Sequence, residues 1–118
     1  MKRILVADDE VNIRLLFDEV LTEAGHEVIS VATGREVVRK IIKDDYDLII
    51  LDIKMPDMNG LEVVQKIREL KKTTPIIVCS AFKHLEDDYV FNVGRVSAYI
   101  TKPVNLQEFK AKVNELLA

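Results

Sequence analysis

Short unbroken apolar runs alternate along the chain with longer stretches in which apolar residues recur every three or four positions. The runs are Ile4–Ala7, Val28–Val31, Leu48–Leu51, Ile76–Cys79 and Ala98–Ile100. They are rich in Ile and Val and do not alternate with polar residues, which predicts parallel strands buried on both faces. Between them lie helical patterns. In "EVNIRLLFDEVLTEAG" (residues 10–25), Val11, Leu15, Leu16 and Val20 fall on or near one face, and Gly25 supplies a stop. Three later helices open with a capping box, Thr33…Glu36, Asn59…Glu62 and Asn105…Glu108, each just ahead of a periodic apolar segment. The sum is five βα units, which predicts an α/β fold, an open, doubly wound parallel sheet with helices on both faces. No Pro- or Ser-rich linker interrupts the pattern, and the last helix runs to Ala118, so a single domain over 1–118 is expected.

The residues that end the runs are less ordinary. The stretch "DLIILDIKMPDMNG" (residues 47–60) runs four apolar residues straight into Asp52, with turn residues immediately after. Open α/β sheets bind ligands at the carboxyl ends of their strands, near the point where strand order reverses. At those ends the sequence places Asp8-Asp9, Asp52, Ser80 and Thr101-Lys102-Pro103. The chain also carries its own control. Asp44-Asp45 and Asp87-Asp88 sit in polar surroundings and read as solvated surface charge, whereas only Asp8-Asp9 comes directly after an apolar run. If strands 1 and 3 are neighbours they stand about 4.8 Å apart, and three carboxylates converge. Two unit charges about 4 Å apart repel by roughly 4 kcal/mol at an effective dielectric near 20. Protonation or a bound cation must offset this. Oxygen donors without histidine suit a hard ion, Mg²⁺ or Mn²⁺. The plainer explanation, that acids after strands cap the next helix, accounts for Asp8 or Asp9 singly. It does not account for Asp52, because the next helix has its own cap at Asn59. A hard cation beside a carboxylate, a lysine and a hydroxyl describes a phosphoryl site, with the carboxylate as nucleophile forming an acyl phosphate.

Composition narrows the setting. The chain has 118 residues, 48% apolar and 31% charged, enough for one core. A net charge of −3 argues against a nucleic-acid partner. No apolar run approaches the roughly 20 residues of a membrane span, and "MKRILVADDE" has too short an apolar stretch for a signal peptide. The single cysteine, Cys79, lies in an apolar run and reads as a buried, inert thiol. Together these place the protein in the cytoplasm, with no membrane partner.

The acidic pair Asp8-Asp9, the loop from Asp52 to Gly60, the Ser80-Ala81 step and Lys102-Pro103, in this order and spacing, resemble the receiver domain of two-component response regulators. The resemblance covers essentially the whole chain. It implies a flavodoxin-like sheet of order 2-1-3-4-5, with Asp52 as phosphoacceptor and Lys102 and Ser80 as its catalytic neighbours. It further implies Asp9, Asp52 and the Lys54 backbone carbonyl as metal ligands, with Asp8 acting through water, and Ser80 and Tyr99 as a switch pair. The phosphoryl donor would be a sensor histidine kinase or a histidine phosphotransfer protein, and the output a downstream protein contact or a further relay step. The domain would be a monomer or a weak, phosphorylation-dependent dimer, and would turn over no substrate beyond its own acyl phosphate. Arg95 after Gly94, Val104 after Lys102-Pro103 and Asn59 before Gly60 depart from the common family pattern without touching the phosphoryl chemistry.

Three other readings compete, one of them a degenerate receiver that only binds partners, against which the complete set of acids, Ser80 and Lys102 argues. A small Mg²⁺-dependent phosphatase with an aspartyl nucleophile needs an acid two residues after that nucleophile, and here the position is Lys54. A nucleotide-binding module needs a Gly-rich first turn, which the chain lacks. Within the receiver reading, Lys54 and Phe82, each two residues beyond a site residue, are expected to restrict water around an acyl phosphate. Ile13, read as exposed, with Leu16 and Pro103, is expected to dock a helical histidine donor.

Overall fold

The computed structural model describes residues 1–81 and 96–118. The readings placed on Phe82, Asp87-Asp88, Gly94 and Arg95 therefore fall outside the described residues. Five strands, β1 (Arg3–Ala7), β2 (Glu27–Val31), β3 (Leu48–Asp52), β4 (Ile76–Ser80) and β5 (Ala98–Thr101), form one parallel sheet in the order 2-1-3-4-5. Four helices are described: α1 (Val11–Glu23), α2 (Gly34–Lys43), α3 (Gly60–Glu69) and α4 (Leu106–Leu117).

Strand alternation divides the core into two layers. Leu5, Ala7, Ile49, Leu51, Ile76 and Val78 pack against α2 and α3. Ile4, Val6, Leu48, Ile50, Ile77 and Cys79 pack against α1 and α4, where the Phe17 and Phe109 rings stack with centroids 4.3 Å apart. Three central strands are thus buried on both sides, which is why their sequences show no polar alternation. β2 is the exception. Its apolar run predicts full burial, but as an edge strand it keeps only Val31 buried, with Val28 and Ile29 half-covered.

The helix starts agree with the sequence. Thr33, Asn59 and Asn105 each accept the backbone N–H three residues on, at 3.2, 3.0 and 3.0 Å. At the end of α1, Gly25 takes φ +93°, while its N–H and that of His26 bond to Thr22 and Leu21. This two-bond closure satisfies the last carbonyls and needs the left-handed conformation glycine adopts freely. The apolar face of α1 differs from the expected one. Phe17 and Leu21 are buried and Ile13, Leu16 and Val20 half-buried on the core, whereas Val11 and Leu15 stand 55% and 61% exposed. The interior face is set by Ile13, Phe17 and Leu21, spaced four apart.

Candidate functional site

Strand order reverses between β1 and β3, and their carboxyl ends carry Asp8 and Asp52. The register pairs Ala7 with Leu51, so the next residues, Asp8 and Asp52, come out side by side. Both continue the alternation of the strand residues that face α1 and α4, as does Lys102 just beyond β5. These three side chains are therefore brought together from residues far apart in sequence.

The grouping is buried. Asp8 is 1% exposed and Asp52 5%. Lys102 donates from Nζ to Asp8 Oδ2 at 3.0 Å, and lies 3.6 Å from Asp52 Oδ2 and 3.8 Å from Glu10 Oε1. Asp8 Oδ1 also accepts the Glu10 N–H at 2.9 Å, and Arg14 donates to the Asp8 carbonyl at 2.6 Å. The Lys54 N–H donates to Asp52 Oδ1 at a long 3.4 Å. Burial, and then the charge of Asp8, push the Asp52 carboxyl up from 3.8 to about 6, against the opposing pull of Lys102. Burial works to lower the Lys102 pKa, but the Asp8 hydrogen bond and the surrounding carboxylates outweigh it and hold the ammonium charged. At neutral pH Asp52 is thus chiefly ionised but under-neutralised, a combination that favours an incoming electrophile or cation.

One group of acids among the described residues, Asp8, Asp9 and Glu10, brings a carboxylate oxygen from each within 4.8 Å of the others. Asp8 and Asp9 are the pair expected from the sequence; Glu10 is an addition, signalled only by the acidic run "DDE". Asp52 lies outside this triplet, joined to it through Lys102. An all-oxygen set with a buried member, facing the Lys102 ammonium, fits a hard divalent cation.

Around this centre the loop from Asp52 to Gly60 is pinned at several points. Met55 is buried and Lys54 exposed. Gly60 donates to the Ile53 carbonyl at 2.7 Å, and a Cβ there would stand 2.9 Å from Ile53 Cα and 3.1 Å from the Asp52 carbonyl. Asp57 reaches across to α2 and accepts the Gly34 and Arg35 N–H groups, both at 3.0 Å. Burial raises the Asp57 pKa, but these amides prevail and hold it below the ordinary value.

Ser80 is buried at the end of β4. It pairs in register with Thr101, while Tyr99 pairs with Val78, so Ser80 and Tyr99 lie on one face of adjacent strands. Tyr99 is half-buried against the layer below α2 and α3. Lys102 donates its N–H to the Ser80 carbonyl at 2.7 Å, and the Lys102–Pro103 peptide is cis. Of the residues expected to dock a partner, Pro103 is exposed, but Ile13 and Leu16 are held against the core by the turn of α1. The exposed apolar residues of α1 are Val11 and Leu15. The Cys79 thiol is buried and pushed up to about 12 by desolvation, as an inert thiol should be. The control pair behaves as surface charge: Asp45 meets Lys72 at 2.6 Å in solvent, and Asp44 ends α2.

Comparison with known proteins points the same way. Residues 4–114 match the family model of the response regulator receiver domain. The chain is 37% identical over 114 residues to the transcriptional regulatory protein TcrA of Mycobacterium tuberculosis, covering 97% of this chain and 45% of TcrA. It spans about half the length of the curated relatives it matches. Among solved structures, the response regulator TrrA of Thermotoga maritima in complex with Mg²⁺-BeF superposes with a TM-score of 0.90 at 44% identity, covering 99% of this chain and 100% of that one. TrrA in complex with the histidine kinase ThkA gives 0.89, also at 44% identity, with both chains fully covered.

Proposed function

The chain belongs to the response regulator receiver domain family of two-component signalling, and we propose that Asp52 is its phosphoacceptor. The observation that carries this reading is the state of Asp52: buried at the end of β3, raised to about 6, and 3.6 Å from Lys102. A carboxylate with that pKa is ionised at cellular pH and loosely neutralised, so it can attack phosphorus. In the transfer, a bond forms between an Asp52 oxygen and phosphorus as the bond from phosphorus to the donor's imidazole nitrogen breaks, and the imidazole keeps that electron pair. In this reading Lys102 meets the charge on the transferred group, and the Ser80 hydroxyl donates to one of the phosphoryl oxygens. Mg²⁺, when held by Asp8, Asp9 and Glu10 with Asp52 and the Lys54 carbonyl, supplies further neutralisation of the phosphoryl oxygens. Mn²⁺ has the same oxygen preference.

The donor in this reading is a sensor histidine kinase, which the TrrA–ThkA complex supports, or a histidine phosphotransfer protein, and the transfer takes place in the cytoplasm. Val11 and Leu15, rather than Ile13 and Leu16, form the apolar part of its docking surface on α1, with Pro103 alongside. Output passes to a downstream protein or a relay partner, and catalysis is confined to forming and hydrolysing the domain's own acyl phosphate. Ser80 and Tyr99 couple the phosphoryl group to the β4–β5 surface: the hydroxyl moves toward the new charge and the ring fills the space it leaves. The test is labelling by acetyl phosphate with Mg²⁺. Wild type should take up hydroxylamine-sensitive phosphate and Asp52→Asn should not. Equal labelling of both sinks the assignment.

A further inference from the structure

We propose that the groove between α2 and α3 docks an acidic amphipathic helix of a partner protein, at a face separate from the one that meets the phosphoryl donor. The groove holds about 290 Å³ and is lined by Arg35, Val38, Arg39, Ile42, Met58 and Lys66. Its floor is apolar, and Ile42 stands 61% exposed at its edge, a large aliphatic side chain left in water on an otherwise charged helix. Its walls carry three cations and no acid. Among the described residues none of the three cations forms a salt bridge. Arg35 is near the Asp57 carboxylate, but that group is already engaged by two backbone amides. Alongside, a second depression of about 260 Å³ carries Arg39, Lys40 and Lys43 with Glu36, whose Oε1 is taken up by the Thr33 cap. Arg35, Arg39, Lys40 and Lys43 of α2 and Lys66 of α3 thus surround an apolar cleft in a chain whose net charge is −3.

That combination selects the occupant. Apolar floor and basic walls match a helix that offers aliphatic residues between flanking carboxylates. A nucleic acid has no use for Val38, Ile42 and Met58 at the centre of the site, because its affinity comes from phosphates. The groove is also tied to the phosphoacceptor loop. Met58 belongs to that loop, its Cβ lies 2.8 Å from where a Cβ on Gly34 would stand, and Asp57 fastens the same loop to the start of α2. A helix seated on Met58 therefore rests on the segment that carries Asp52.

The test uses the unphosphorylated protein and a synthetic amphipathic helix of Leu and Glu, with the same peptide bearing Gln for Glu as control. Amide NMR shifts should concentrate at Val38, Arg39, Ile42, Met58 and Lys66 on adding the Glu peptide. Arg39→Glu and Lys66→Glu should each weaken binding roughly threefold to fivefold, as exposed ion pairs do, and Ile42→Ala should weaken it further. Acetyl phosphate labelling of these variants should stay at the wild-type level, which shows them folded. The proposal is overturned if the Gln peptide binds as well, if the shifts fall on another face, or if no shift appears at millimolar peptide. Displacement of the Glu peptide from this groove by an oligothymidylate or by phosphatidylglycerol vesicles at lower concentration also overturns it, in favour of a nucleic acid or a membrane surface.

Discussion

Replacing Asp52 by Asn removes a carboxylate that the metal-free fold holds at a cost. The unfolded chain gives the Asp52 carboxyl its ordinary pKa of 3.8, and the fold raises it to about 6. Between those values the folded state keeps a proton that the unfolded state has released, so stability falls as pH rises through the window. The difference corresponds to about 3 kcal/mol at about 1.4 kcal/mol per pH unit, trimmed to roughly 2–3 kcal/mol by solvent reaching the open side of the site. Asparagine keeps the shape and sheds the charge. Asp52→Asn should therefore be more stable than wild type by roughly 2–3 kcal/mol above pH 6, a rise of roughly 6–12 °C in Tm for a chain of this length. At pH 3.8 folded Asp52 is protonated and the unfolded carboxyl half-protonated, so the advantage should shrink to about 0.4 kcal/mol, and it should vanish at still lower pH. Urea melts of both proteins in EDTA, at pH 7.5 and pH 3.8, give the comparison directly. A stabilisation equal at the two pH values, or none at pH 7.5, refutes the claim that desolvation and Asp8 destabilise ionised Asp52.

The same geometry sets three more outcomes. Lys102→Met strips buried Asp8 of its partner at 3.0 Å, and should cost about 3–5 kcal/mol in urea melts while slowing acetyl phosphate labelling. Gly60→Ala forces a methyl to within 2.9 Å of Ile53 Cα, so the phosphoacceptor loop must shift. It should cost about 1–3 kcal/mol and lower labelling, whereas wild-type labelling rates would contradict the close approach. Lys71 closes α3 at φ +59°, with its N–H bonded to Arg68 and that of Lys72 to Ile67. Lys71→Gly should therefore raise stability by about 0.5–1 kcal/mol, read as a higher Tm with labelling unchanged.

Much of this architecture is legible in the sequence because buried parallel strands and capped helices leave local marks. Unbroken runs such as Leu48–Leu51 identify the strands, and Thr33, Asn59 and Asn105 identify three helix starts. The reach of that logic ends where neighbours decide. Val28 and Ile29 look like core strand residues, yet their strand sits at the sheet edge, and nothing local says so. Val11 and Leu15 satisfy a helical spacing as well as Ile13, Phe17 and Leu21 do. Only packing against α4 through the Phe17–Phe109 stack decides which set turns inward. At the site, Asp8, Asp52, Ser80 and Lys102 can be found because each lies at the end of an apolar run. Glu10 is easily overlooked because it comes after the acidic pair rather than after the strand. Asp57 escapes notice because its partners, Gly34 and Arg35, lie 23 and 22 residues away in sequence, and a turn aspartate gives no sign of which helix it will cap.

The central claim is that phosphate arriving at this domain is bound to one oxygen-bearing side chain, Asp52. Borohydride reduction of the protein after treatment with acetyl phosphate and Mg²⁺ converts an aspartyl phosphate to homoserine, and peptide mass spectrometry locates it. The account predicts homoserine at position 52 and at no other acid. Homoserine at Asp8, Asp9 or Asp57, or phosphate recovered on Ser80 instead, would contradict it.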